Sequence, residues 1–434
     1  MARGGLRGAG ARLLELAGRR GTRRVAWGLS DQAVSSLTNF ALGVVIARQV
    51  APREFGAFSL AFSTYLIVLG VTRAVALEPL SVRFAQWVPE QRRLFVSRAV
   101  GTALAMGGVA GVATLLTAFA FDEPLRGVLV ALALGLPLLM AQDAWRYVFV
   151  ASGRPASALT NDAVWAAVLF PGFALISAAA GGSAAWYVGV WCLSAGVAAG
   201  VGVLQSATIP KVRGAPAWWR ANKDLGTRYL GEFTLSSGAS YVTAYFVAAA
   251  AGVAAAGALR GAQILLGPAA LVHLGIGLLV VPELSRIYHG RSSEHLLRAS
   301  SAVSGGLFAI TATWSVALVL IPAGVGRALL GESWTIAEPV MLPMGLGLAA
   351  SGATMGASGG LRALAAADEG LRARLVVSIA TVVAGTTGAV LGGAEGAAWG
   401  SSAALAAGTM VWWNAYLKAL RRRPSPRQVP ASPS

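Results

Sequence analysis

Several ionisable side chains stand inside apolar runs of this sequence, where an exposed charge is costly. The stretch GLSDQAVSSLTNF begins at Gly28, within a run that is apolar from Val25 to Ala47. Its polar residues Asp31, Ser35, Thr38 and Asn39 fall at i, i+4, i+7 and i+8, which is one stripe of a helix. Glu232, Ser236, Ser240 and Thr243 repeat the stripe two hundred residues later. Each stripe suits either a cavity-lining face that holds a proton or cation, or a buried polar seam between helices.

Three arginines, Arg73, Arg146 and Arg260, also lie within apolar windows, along with Asp143, Glu338 and, near a window's end, Glu78. An arginine aimed into a cavity suits phosphate, because guanidinium donates in a bidentate fork and stays charged. Asp143 and Arg146 stand at i, i+3 and are expected to neutralise each other. Arg73 and Arg260 have no acid at i±3 or i±4; Glu78, five residues from Arg73, could meet it only across a bend at Pro79. Arg73, Arg260 and Arg146 are thus the candidates for holding an anionic substrate. His273 is expected to be a packing histidine rather than a proton relay.

The chemistry is binding rather than catalysis. The lysines are Lys211, Lys223 and Lys418, and none follows a glycine, so no G-K-[ST] phosphate loop exists. No HExxH motif or Cys/His cluster is present, and Cys192 is the single cysteine. No catalytic residue, metal site or cofactor is expected, and the protein is not expected to be an enzyme.

The elements that must position these residues follow from composition. Of 434 residues, 56% are hydrophobic and 12% charged, about half the charge of a soluble domain. Windows of ~20 apolar residues, long enough to cross a bilayer, recur along the whole chain. Twelve spans are read at roughly 25–47, 55–82, 94–120, 125–149, 157–181, 184–208, 226–250, 254–281, 299–322, 334–357, 373–392 and 396–417. With both termini on one side, that side's tails and loops carry 28 basic residues against 4 on the other. This is a positive-inside pattern, so both termini are expected in the cytoplasm. The net charge of +17 therefore reports topology and contact of the basic tails with anionic lipid heads, not nucleic-acid binding.

The two halves repeat. Asp31, Ser35, Ser36 and Gly56 align with Glu232, Ser236, Ser237 and Gly257 at one offset. Further along, Pro79 meets Pro282, Leu136-Pro137 meets Leu342-Pro343, and Asp162 meets Asp368, at slowly growing offsets. Six spans per repeat is an even number, so the halves are parallel, as in transporters that rock two lobes around a cavity. The expected fold is an all-α membrane protein of about twelve transmembrane helices in two six-helix parallel repeats around a central cavity. Its parts are a basic tail (1–24), an N-lobe (25–209), a cytoplasmic linker (210–225), a C-lobe (226–417) and a basic, disordered tail (418–434). Pro79, Pro137, Pro282 and Pro343 are read as matched bends that gate the lobes.

The run WGLSDQAVSSLTNFALGVVIARQVAPREFGAFSLAFSTYLIVLGVTRAVALEPLSVRF resembles the start of bacterial polysaccharide-export flippases of the O-antigen type. These belong to the multidrug/oligosaccharidyl-lipid/polysaccharide exporter superfamily, and the resemblance is densest over residues 27–84. It implies a cytoplasmic-membrane transporter that moves a polyprenyl-diphosphate-linked oligosaccharide from inner to outer leaflet by alternating access. Polysaccharide polymerases and glycosyltransferases would be its partners, and a monomer would suffice. A cation-coupled multidrug exporter of the same superfamily is the alternative, with Asp31 and Glu232 as the ion site. A membrane glycosyltransferase or polysaccharide ligase is disfavoured, since it would show a long outer loop and no six-span repeat.

Overall fold

The computed structural model describes residues 38–179, 182–290 and 292–422, and nearly all of them are helical. The described part of the first span, α1, covers 38–49. It is followed by α2 (Pro52–Gln86), α3 (Pro89–Ala118), α4 (Leu125–Ala151), α5 (Pro155–Ala178) and α6 (Ala184–Ser206). Next comes α7, which runs as Ala215–Phe233, a π-helical turn Thr234–Gly238, and Ala239–Ala251. The chain continues with α8 (Val253–Gly290), α9 (Ser293–Val319), the short α10 (Ala323–Leu330) and α11 (Trp334–Ala363). The final helical stretch, Ala367–Arg422, folds back at Gly392 and Gly393 into α12 (367–391) and α13 (394–422). Gly393 has φ 61°, which a side chain would resist, and the Gly388 and Gly396 backbones touch where the limbs part.

Among the described residues nine helical stretches are long and apolar enough to cross a membrane. The last of them folds back at its glycine pair and is long enough for two crossings; α7 adds the shorter apolar helix Ser240–Ala251, and α1 is described over 38–49. The protein is an all-α, multi-pass membrane fold, and the helices lie where hydropathy puts them. The helix starts follow local chemistry: Pro89 and Pro155 open α3 and α5, where a missing N–H costs nothing.

Two compact units are present. Unit 1 holds the described residues up to Leu42 together with Tyr65–Gly231; unit 2 holds Gly43–Thr64 together with the described residues from Glu232 onward. Within unit 1, α3 packs on α4 and α4 on α6; within unit 2, α9 packs on α11 and α11 on the final hairpin. The two units thus repeat one packing scheme, built on small residues that let backbones approach. Gly135 of α4 faces Cys192 of α6, and Gly202 of α6 faces Trp145 of α4. In unit 2, Gly345 of α11 faces Ser315 of α9, and Ser402 Oγ of α13 donates to Pro343 O at 2.5 Å.

Residues 43–64 group with unit 2 for a visible reason. Gly56 of α2 and Gly257 of α8 are mates in the sequence repeat, and they lie against each other. A Cβ on Gly257 would stand 3.0 Å from Gly56 Cα, and one on Gly56 would run into Val253 O. Ser333 Oγ, donating to Ala47 O at 3.2 Å, ties α1 to the same unit.

The connection read as a linker over 210–225 is helical from Ala215 and runs without a break into the seventh span. The 1–24 and 423–434 tails lie outside the described residues, as do Asp31 and Ser35.

Candidate functional site

In α2 the helix widens into a π turn over Arg73–Leu77, with the Glu78 N–H reaching back to Arg73 O. Pro79 follows. It has no N–H to offer the carbonyl four residues earlier, so Val75 O is left without its helical donor. The Trp218 indole Nε1 donates to that carbonyl at 3.3 Å. Trp218 is buried, and Arg83 fastens the same stretch of α7 by donating to Ala221 O at 2.5 Å and Asn222 Oδ1 at 2.9 Å, and by pairing with Asp224 at 2.8 Å. The start of α7 therefore docks on the one turn of α2 that carries Arg73.

Arg73 is not alone in its unit. Its Nε donates to Asp143 Oδ2 at 2.8 Å and its Nη2 to Asp143 Oδ1 at 2.6 Å, a bidentate pair from α2 to α4. The guanidinium also lies 5.4 Å from the ring centroid of Tyr147, whose hydroxyl donates to Glu78 at 3.1 Å. The i, i+3 partner expected for Asp143, Arg146, is 3.8 Å away; Arg146 sits closer to Asp162 of α5, at 3.0 Å. Gln142 completes the chain by donating to Asp162 Oδ1 at 2.9 Å. Spacing along one helix hid these pairings, because each tight pair joins two helices. Asp162, a carboxylate in the apolar α5, is a site member that the search along single helices passed over. Its burial inside an apolar window was the available signal.

The result in unit 1 is two arginines matched by two aspartates. Asp143 and Asp162 side chains are 4% and 1% exposed, so the carboxylates are the buried members, while Arg73 remains 34% exposed. Unpaired, either carboxylate would be strongly destabilising at this depth.

Unit 2 differs. Arg260 of α8 stacks its guanidinium on the Phe62 ring of α2, 4.0 Å from the centroid. Its Nε is buried without a hydrogen-bond acceptor, and it has no ion pair among the described residues. Nearby in the unit, Tyr245 of α7 donates to Leu60 O at 3.0 Å and shares a short hydrogen bond with Thr64. His273 is buried and bonded to Thr311 Oγ1 at 2.7 Å, which is the packing role expected for it.

The α7 stripe lies where the second π turn, Thr234–Gly238, interrupts the helix, and Ser236 belongs to that turn. Glu232 and Ser240 are exposed and Thr243 is buried. Of the α1 stripe only Thr38, buried, and Asn39, half-buried, are described. The prolines keep their repeat pairing: Pro137 lies inside α4 and Pro343 inside α11, while Pro282 lies inside α8 and Pro79 follows the π turn of α2.

No known protein family pattern matches the sequence, and no curated protein is similar to it in sequence. The fold, in contrast, is shared with solved membrane transporters. An inward-facing multidrug resistance MATE family transporter of the MOP superfamily superposes with TM-score 0.71 at 12% identity, over 91% of this chain and 96% of that one. The lipid II flippase MurJ, in an inward closed conformation, gives TM-score 0.65 at 14% identity, over 92% and 90%. A MOP superfamily transporter from Pyrococcus furiosus, described as having a binding pocket of reversed polarity that suggests a different function, gives 0.52 at 14%, over 90% and 93%. The chain has the fold of this superfamily across nearly its whole length.

Proposed function

We propose that the protein is a transporter of the MOP type that carries a polyprenyl-diphosphate-linked oligosaccharide from the inner to the outer leaflet of the cytoplasmic membrane. It would work by alternating access, with the halves 25–209 and 226–417 as its lobes, both termini in the cytoplasm, and glycan-assembly enzymes as neighbours. One observation carries the choice of an anionic cargo. Among the described residues the acids within the spans of unit 1 are already held, Asp143 and Asp162 by arginines and Glu78 by Tyr147. In unit 2 the cation within the spans is Arg260, which stacks on Phe62 and has no ion pair among the described residues, whereas the span acids Glu232 and Glu338 are exposed. A diphosphate drawn out of the head-group layer needs such a partner, since burying its charge unpaired costs many kcal/mol. Arg73 and Arg146 have their charge matched, so Arg260 is the anion's first contact in this reading.

The test is Arg260→Ala in cells that depend on the protein. The lipid-linked intermediate should accumulate on the inner leaflet while the protein stays inserted at normal levels, and Arg260→Lys should restore export only in part because it loses the fork geometry. Normal glycan export by Arg260→Ala would refute the assignment.

The multidrug reading has support of its own in the shared fold with the MATE transporter. There Asp31 and Glu232 would bind the coupling cation. Asp31→Asn should then abolish drug efflux and leave lipid-linked intermediates untouched, the reverse of the outcome expected here.

A further inference from the structure

A second basic site stands apart from the residues discussed so far. A cavity of about 310 Å³ opens at one end of unit 1, where α3 begins and where α4 and α6 end. Arg92, Arg93 and Arg154 line it, along with Phe84, Phe149 and the hydroxyl of Ser152; no acidic residue is in its wall. Volumes of this size, about 300 Å³ and above, are those of small-ligand sites.

Three arginines that converge with no carboxylate between them repel one another, so some other interaction must hold them in place. Each is fixed from behind. Arg92 donates from Nε to Trp87 O at 3.0 Å and lies 5.3 Å from the Phe84 ring centroid. Arg93 donates from Nη2 to Ala207 O at 2.5 Å, at the end of α6. Arg154 donates from Nη2 to Gln205 O at 3.2 Å and lies 5.5 Å from the Phe149 ring centroid. Capping the end of α6 therefore accounts for one N–H of Arg93 and one of Arg154. The remaining N–H groups of the three forks have no acceptor among the described residues. Aromatic stacking and carbonyl anchors pre-orient the guanidiniums, which reduces the entropy an anion must overcome to bind.

We propose that this cavity is a phosphate-binding site, and that its ligand is a phosphate ester at head-group depth or the free anion. The cavity lies at the ends of membrane-spanning helices, the level at which lipid phosphates sit, and basic pockets there are suited to anionic head groups. The inference does not depend on the cargo proposed above, because none of its residues takes part in that reading.

The test uses the full chain purified in detergent micelles and titrated by native mass spectrometry with phosphatidylglycerol, phosphatidylcholine and inorganic phosphate in turn. The wild type should retain phosphatidylglycerol in preference to phosphatidylcholine. The triple variant Arg92→Gln, Arg93→Gln, Arg154→Gln keeps a polar side chain at each position, with a donor at the level of the Arg92 Nε, and removes the charge. It should bind phosphatidylglycerol about tenfold more weakly or worse, since hydrogen bonds to charged groups contribute at that level. Arg213→Gln with Arg220→Gln, on the same side of unit 1 but outside the cavity wall, should leave binding unchanged. Should the triple glutamine variant fail to fold, the triple lysine variant replaces it and should hold the lipid at intermediate strength. Displacement of the lipid by millimolar inorganic phosphate would name the free anion as the ligand; its failure to displace would name the lipid. Equal phosphatidylglycerol and phosphate binding by wild type and folded triple variant would overturn the site, as would an equal loss in the Arg213/Arg220 control.

Discussion

The Arg73–Asp143 pair lends itself to a double-mutant cycle with a built-in reporter. Cys192, the single cysteine, is buried in α6 of the same unit, 3% exposed, with Gly135 of α4 against it. Its thiol should react with a maleimide only when unit 1 opens, so reactivity during titration with a denaturing detergent measures unit stability. Asp143→Leu removes the acid shared by Arg73 at 2.6 Å and Arg146 at 3.8 Å and leaves one surplus cation, Arg73, which is 34% exposed. Breaking a buried pair from one side costs about 3–5 kcal/mol. Arg73→Met should carry that cost, since it leaves the 4% exposed Asp143 with only Arg146 at 3.8 Å; Asp143→Leu should cost less, about 1–3 kcal/mol, because solvent screens the 34% exposed Arg73 it leaves behind. Replacing both at once, Arg73→Met with Asp143→Leu, removes the charge and its counter-charge together and should return stability to within about 1 kcal/mol of wild type. The three variants thus predict a coupling of roughly 3 kcal/mol or more. Additive losses, or single variants as stable as wild type, would refute the pairing as an energetic unit. The same double variant decides whether Arg73 also serves the cargo. A stable protein that still exports means the arginine is structural; a stable protein that does not export places Arg73 in cargo binding.

Trp218→Phe should cost about 1–3 kcal/mol by leaving Val75 O unsatisfied beside Pro79, whereas Trp218→Ala should cost more, about 3–5 kcal/mol, because it also empties a buried site; both are read by the Cys192 assay. Gly56→Val should destabilise by about 1–3 kcal/mol, since its Cβ would run into Val253 O, and thermal inactivation in detergent checks it; unchanged inactivation would mean α2 and α8 do not approach as described. For topology, single cysteines in a Cys192→Ala background should be labelled from outside at Asp122 and Glu332 and protected at Arg213 and Glu294, all exposed positions. Glu332 is chosen over its neighbour Gly331, whose φ is 58° and where a Cβ would stand 2.9 Å from Arg48 Cα. Reversed labelling would invert the membrane orientation inferred from the positive-inside count.

What the sequence reveals, and what it hides, follows from the range of the interaction involved. Hydropathy over ~20 residues is local information, and it located the spans: 184–208 was read where α6 covers Ala184–Ser206, and 334–357 where α11 covers Trp334–Ala363. Punctuation was also local. Pro89 and Pro155 open helices, and the glycine pair at 392–393 divides one helical stretch into two crossings. The connection over 210–225 shows in the sequence only as a polar stretch, APAWWRANKDLG; its helix owes its position to Trp218 and Asn222 docking on α2, a contact with no sequence signature.

Charge pairing is not local in a helical bundle, and there the reading along one helix went astray. Neighbours at i+3 and i+4 are the only partners that sequence spacing can offer. Asp143 has such a neighbour in Arg146, yet the fold gives its closer contact to Arg73, seventy residues away, and gives Arg146 to Asp162. The reason is geometric. A π turn and the following proline alter the course of α2 at Arg73, and α4 and α5 present their aspartates to the same buried layer, where two-sided hydrogen bonding is available. A sequence reading that ranks intramembrane arginines by the absence of a local acid therefore treats Arg73 and Arg260 alike. The fold separates them: one arginine is bound to a carboxylate on another helix, and the other rests on Phe62 without an ion pair among the described residues. That difference, rather than the arginine count, is why the proposed anionic cargo is assigned to Arg260, which has no acid among the described residues to give up first.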